Sequence, residues 1–101
     1  MTKVTQLRIY TINKGMMNEY VQAWRTGVVP LRQYFGFTIE GGWVIEGENR
    51  FVWIVSAQGT QDIWLAKEQA YYTSPERKAL NPDPAFFVAH VETRFITSVL
   101  E

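Results

Sequence analysis

Along Gln6–Ile12 the residues alternate, with Leu7, Ile9 and Thr11 on one face and Arg8, Tyr10 and Ile12 on the other, the period-two signature of a strand. Asn13, Lys14 and Gly15 supply a turn, and the period then lengthens: Met17, Tyr20, Val21, Trp24, Val28 and Leu31 recur every three or four residues. That spacing predicts an amphipathic helix. Pro30 lies within it and removes a backbone donor, so a kink or break is expected around Gly27–Pro30, with Gly36 ending the helix.

Alternation returns from Phe37 to Ile45. Phe37, Ile39, Gly41, Trp43 and Ile45 share one parity; Thr38, Glu40, Val44 and Glu46 share the other. Gly41 and Gly42 can host a bulge that switches the faces beyond it, which leaves the facing of Trp43 and Glu46 open. After the hairpin residues Gly47, Glu48 and Asn49, a third strand from Phe51 to Ala57 is apolar at both parities and needs cover on both sides. Thr60 caps a second helix from Gln61 to about Tyr72 whose inward stripe is Ile63, Trp64, Lys67, Ala70 and Tyr71. Ser74 and Pro75 open a short extra helix, and Asn81 to Pro84 forbid regular structure. The last strand runs from about Ala89 to Val99, with His90, Glu92, Arg94 and Ile96 on one face and Val91, Thr93, Phe95 and Thr97 on the other.

The order strand, helix, strand, strand, helix, strand predicts an α+β chain of the ferredoxin-like βαββαβ type, with an antiparallel four-stranded sheet, as one domain over residues 1–101. The last strand pairs with the first, and the first with the third. Two helices cover one face of such a sheet, so the second apolar face of the third strand calls for a partner. We expect a homodimer whose two sheets face each other and enclose a small interior, a dimeric α/β barrel.

Composition sharpens this expectation. Six Phe, five Tyr and four Trp among 101 residues strain a single small core, because each aromatic ring can bury about 150 to 250 Å². On this reading Trp24, Trp64 and Tyr20 belong under the helices, while Tyr10, Phe51 and Trp53 are candidates for the partner-covered face. Ten basic side chains balance ten acidic ones, which argues against a nucleic-acid partner. The third strand, Arg50 to Val55, faintly resembles an RNA-recognition module but lacks its glycine and basic surroundings. The longest strictly apolar run, Phe51–Val55, is five residues, far short of the roughly 20 that span a bilayer. Met1 to Thr11 lacks the apolar block of a signal peptide, and there is no cysteine for disulfides or thiolate metal sites; a cytoplasmic chain is expected.

Leu7-Arg8-Ile9-Tyr10-Thr11-Ile12, Lys14-Gly15, Tyr20, Trp24, Val29-Pro30-Leu31-Arg32 and Gly36-Phe37 resemble the NIPSNAP family, as do Tyr72, Ser74-Pro75-Glu76 and Glu92-Thr93-Arg94. Their order and spacing carry the resemblance over nearly the whole chain. Three features depart from the pattern: Arg77 stands where an aromatic is usual, Val55 where Trp is usual, and Pro82 to Phe87 is more broken. The resemblance implies the dimeric α/β-barrel superfamily, whose members include cofactor-free monooxygenases, haem-degrading enzymes and small isomerases or cyclases. Most of the family itself has no assigned reaction.

Pairing of the first and last strands suggests a polar cluster in which Arg8 and Tyr10 lie beside Glu92 and Arg94, with His90 at one end. One reading is an interface network of Arg8 with Glu92. The other is a pocket for a small, partly apolar anion, in which Arg8 or Arg94 holds negative charge and Tyr10 donates a hydrogen bond. His90, the only histidine, is the candidate for moving a proton, and Phe51, Trp53 and Trp43 are candidates for an apolar wall. Cofactor-free oxygenation, isomerisation or cyclisation would suit such a site, against a non-catalytic dimeric binding or scaffold protein. No cofactor is expected; haem with His90 as axial ligand is a third alternative. One histidine and no cysteine argue against a metal, and no nucleophile elbow or phosphate loop is present.

Overall fold

β1 (Lys3–Ile12) starts ahead of the alternating stretch and forms the middle of the structure, hydrogen-bonded to β3 (Arg50–Gln58) on one side and β4 (Val88–Ile96) on the other. β2 (Thr38–Ile45) pairs with β3, giving an antiparallel sheet in the order β2-β3-β1-β4. The computed structural model describes residues 2–100; Met1 and Glu101, the ends of the predicted domain, lie outside the described residues. β2 and β4 occupy opposite edges and share no ladder. The ferredoxin-like α+β sheet is therefore open. It does not close into a barrel, and the barrel expected from the strand order is corrected on this point: closure needs an edge-to-edge ladder that this sheet lacks.

The first helical stretch is continuous rather than broken. α1 (Met17–Ala23) passes into a π turn (Trp24–Val28) and then α2 (Val29–Tyr34). The Val29 N–H reaches back to the Trp24 carbonyl, five residues away. This wider turn lies just where Pro30, in the first turn of α2, brings a ring and no donor. The predicted discontinuity is thus absorbed inside the helix.

After the hairpin, α3 (Gln61–Thr73) is capped by Thr60, whose hydroxyl accepts from the Ile63 N–H. Its inward side is narrower than the predicted stripe: Trp64 and Tyr71 are buried, while Ile63 and Ala70 are exposed. α4 (Pro75–Lys78) follows directly, capped by Ser74. The stretch expected to be irregular ends in a 3-10 turn (Pro84–Phe87), where the Asp83 carboxylate accepts from the Ala85 N–H.

β2 carries the bulge that the glycine pair suggests, between Ile39 and Gly41. Beyond it Gly42 lies opposite Trp53, and a Cβ there would come within 2.6 Å of the Trp24 ring and 2.9 Å of Phe51. Only glycine lets the helix approach so closely. Trp43 consequently falls on the other face, opposite Val52, and remains 52% exposed. Glu46 lies in the exposed turn after β2.

The core fills the space between the sheet and the helices. From β1 it takes Gln6, Arg8, Tyr10 and Ile12, and from β3 Phe51, Trp53, Val55 and Ala57. Tyr20 and Trp24 meet Phe51 edge-on, with centroids at 5.3 and 4.9 Å, and such pairs add about 0.5–1.5 kcal/mol each beyond the area they bury. Trp24, Trp64 and Tyr20 lie under the helices as expected. Tyr10, Phe51 and Trp53 lie there too, so their predicted placement on a partner-covered face is corrected: helical side chains fill that side. The opposite face carries Leu7, Ile9, Val52 and Ile54, all half-buried, beside exposed Trp43. Among the described residues no element covers it.

Candidate functional site

Arg8 sits at the centre of the sheet, opposite Trp53 on one neighbour and Thr93 on the other. Its parity points it under the helices, where a charged group needs partners. Those partners come from α3. One turn of helix separates Trp64, Glu68 and Tyr72, which places a carboxylate and a phenol above Arg8. Arg8 donates to Gln6 at 2.6 Å, to Tyr10 at 2.9 Å, to Tyr72 at 2.9 Å and to Glu68 at 3.3 Å. α2 supplies a second guanidinium. Arg32 donates to the other Glu68 oxygen and to the Tyr72 hydroxyl, and its side chain is only 1% exposed.

Two buried guanidiniums therefore share one carboxylate. They are further held by rings, with the Arg32 guanidinium carbon 4.1 Å from the Tyr71 centroid and that of Arg8 5.3 Å from Trp53. Burial works against the Arg8 charge, but Tyr10, Tyr72 and Glu68 more than offset it, so its pKa stands above the ordinary arginine value. Burial pushes the Tyr10 hydroxyl up, against the pull of Arg8, and pushes Tyr20 and Tyr71 up as well. These phenols keep their protons near neutrality.

Beside this network lies a cavity of about 230 Å³. Arg8, Arg32, Tyr10, Tyr71, Tyr72 and Trp53 form its polar and aromatic wall, and Val28, Val88 and Val91 its apolar side. Arg77 stands at the rim. Ser74 positions it, donating to the Tyr71 carbonyl at 2.7 Å and accepting from the Arg77 N–H at 3.0 Å, while the Arg77 guanidinium bonds Asp83 at 3.1 Å. Among the described residues no acidic side chain lines the cavity.

Of the residues singled out in the sequence, the structure brings Arg8, Tyr10 and Trp53 to this wall, with Phe51 packed in the adjoining core. It does not bring the others. His90 lies opposite Thr11, Glu92 opposite Ile9 and Arg94 opposite Leu7, one parity away from Arg8 and Tyr10, so all three project from the open face with Trp43. There Glu92 pairs with Arg94 at 3.5 Å and lies 3.9 Å from His90, whose side chain is 65% exposed. The sheet separates the two groups. Arg32, Glu68, Tyr71, Tyr72 and Arg77 were not placed in a site by sequence reasoning, although the i, i+4 spacing of Trp64, Glu68 and Tyr72 is a signal that could have found two of them.

Among the described residues no group of three or more His, Asp or Glu is arranged to hold a metal, and no helix is long and apolar enough to cross a membrane. No family model matches the sequence, and no curated protein aligns with it. Solved structures do match. An uncharacterized NIPSNAP domain protein from Burkholderia xenovorans superposes with a TM-score of 0.81 at 17% identity, over 96% of this chain and 95% of that one. A NIPSNAP family protein from Agrobacterium tumefaciens gives 0.84 at 17% identity, over 99% and 90%. The chain has the NIPSNAP fold. A second Agrobacterium tumefaciens NIPSNAP family protein, described as having unknown function, gives 0.81 at 13% identity over 94% and 86%. The NIPSNAP fold here holds a small-molecule-sized cavity between sheet and helices.

Proposed function

We propose that this chain is a NIPSNAP-family protein that binds a small, partly apolar organic anion in the cavity under its helices. The observation that carries the reading is the charge imbalance at the wall: Arg8 and Arg32 share the single carboxylate of Glu68, which stands behind the wall, and among the described residues no acidic side chain lines the space. A bound carboxylate or enolate supplies the missing negative charge. The size fits a one-ring acid, since a dry cavity of about 150 Å³ already admits benzene. The chemistry such a wall favours is stabilisation of developing negative charge, with arginine forks and protonated phenols aimed from fixed elements. The fold shared with NIPSNAP proteins and the motif residues Arg8, Tyr10, Arg32 and Tyr72 support the family reading.

Calorimetric titration with benzoate and salicylate is the test. Both are expected to bind, and benzyl alcohol is not. Arg32→Lys, which keeps a charge for Glu68 but loses the planar fork, is expected to weaken binding about tenfold or more. His90→Ala is expected to leave it unchanged, because His90 lies across the sheet. Absence of any binding by the acids would refute the reading.

We further propose that a second copy of the chain covers the open face. Its support is the strip of Leu7, Ile9, Val52, Ile54 and Trp43 left uncovered across the sheet, a contiguous apolar surface of the kind that marks an interface. Light scattering is expected to give twice 11.7 kDa; a monomer at that mass refutes it.

A further inference from the structure

The polar atoms at the cavity wall are nearly all donors. Both Glu68 oxygens are taken by Arg8 and Arg32, and the Gln6 side-chain oxygen is taken by Arg8. The Tyr72 hydroxyl accepts from Arg8 at 2.9 Å and from Arg32 at 3.1 Å, which fills both lone pairs and leaves only its proton to offer. The Tyr10 hydroxyl accepts from Arg8, and its own proton is likewise free. Three more buried groups on lining residues, the Tyr71 hydroxyl, the Trp53 Nε1 and the Arg32 Nε, make no hydrogen bond of ordinary geometry among the described residues. Buried donors left unpaired are costly, and native structures rarely keep several in one place without a use.

Resting on the anion-binding reading above, we propose that the cavity selects oxo acids, whose second oxygen accepts a hydrogen bond, and rejects amino acids of the same skeleton. A 2-oxo or 3-oxo acid with one ring or a short apolar body offers a carboxylate to the guanidiniums and a carbonyl oxygen to the free protons of Tyr72, Tyr10 or Tyr71. An α-ammonium group brings three donors to a wall that has no carboxylate to receive them, and places a positive charge beside Arg8 and Arg32. Unmade bonds and charge repulsion then act in the same direction.

Three acids of one skeleton test this with the full chain: phenylpyruvate, 3-phenylpropionate and phenylalanine, titrated by calorimetry. Phenylpyruvate is expected to bind tightest and phenylalanine at least on the order of 100-fold more weakly. Tyr72→Phe is expected to narrow the ratio of phenylpyruvate to 3-phenylpropionate affinity toward one, a readout that cancels the effect on both acids of freeing the Arg8 and Arg32 donors; thermal unfolding of that variant confirms that it is folded. Phenylalanine binding within about threefold of phenylpyruvate, or no advantage of phenylpyruvate over 3-phenylpropionate, overturns the oxo-acid inference and leaves the anion site standing. Failure of all three acids, together with benzoate and salicylate, overturns both.

Discussion

Replacing Glu68 by Gln is expected to lower stability by about 3 kcal/mol or more, equivalent to a fall in melting temperature of roughly 12–24 °C for a domain of this size. Among the described residues Glu68 is the only acidic partner of Arg8 and Arg32, whose side chains are 7% and 1% exposed. Without it two guanidiniums face each other out of water with no counter-charge. The same change should act on binding with the opposite sign. Glu68 competes with any ligand anion for the two arginines, so Glu68→Gln is expected to bind benzoate more tightly than the parent chain, and saturating benzoate should restore part of the lost melting temperature. A variant as stable as the parent, or one whose melting is indifferent to benzoate, would show that the two arginines are satisfied in some other way.

Trp53→Ala is expected to cost about 3–5 kcal/mol, a large part of the roughly 5–15 kcal/mol that holds a domain folded. Trp53 is 1% exposed, meets Tyr10 and Trp24 edge-on at 6.1 and 5.9 Å, and lies under both guanidiniums. Its Nε1 has no hydrogen-bond partner, so the loss is one of packing and ring electrostatics rather than of a bond. The urea midpoint of unfolding measures it, with an unchanged slope as the sign that folding is still all-or-none. Indole should refill the space, raising the midpoint of Trp53→Ala and not that of the parent chain. A midpoint near the parental value would mean that the helices collapse onto the sheet and close the gap.

The order of strands and helices was legible because the two periods differ: two along Gln6–Ile12, near 3.6 through Met17–Leu31. The glycine-dependent bulge in β2 was legible too, since Gly41 and Gly42 interrupt an alternating run. Closure was not. The apolar content of both faces of β3 shows that each needs cover, but it carries no information on whether an edge strand meets another. The site was half legible for a related reason. Tyr10 and Phe51, and Arg8 and Trp53, do stand opposite each other, yet which side of the sheet they occupy depends on where Arg8 finds its counter-charge. That partner, Glu68, lies 60 residues away in sequence. The register of β4 was invisible for the same period-two reason: setting Arg8 against Thr93 instead of Glu92 or Arg94 sends His90, Glu92 and Arg94 through to the other face.

The π turn at Trp24–Val28 gives the cavity a dependence on chain length as well as on residue identity. Each residue advances a regular helix by about 100°, and the π turn holds one residue more than an α turn closes around. The wider turn absorbs that increment, so Arg32 downstream stays in phase. Removing a single residue between Trp24 and Val28 would let a regular α turn close in its place and keep Arg32 in phase with Glu68 and Tyr72, whereas adding one would swing Arg32 about 100° away from both, although no residue of the wall had been changed. Position-by-position substitution would never expose this dependence. In this segment the count of residues is itself a functional element, and a one-residue insertion would be felt as the loss of an arginine.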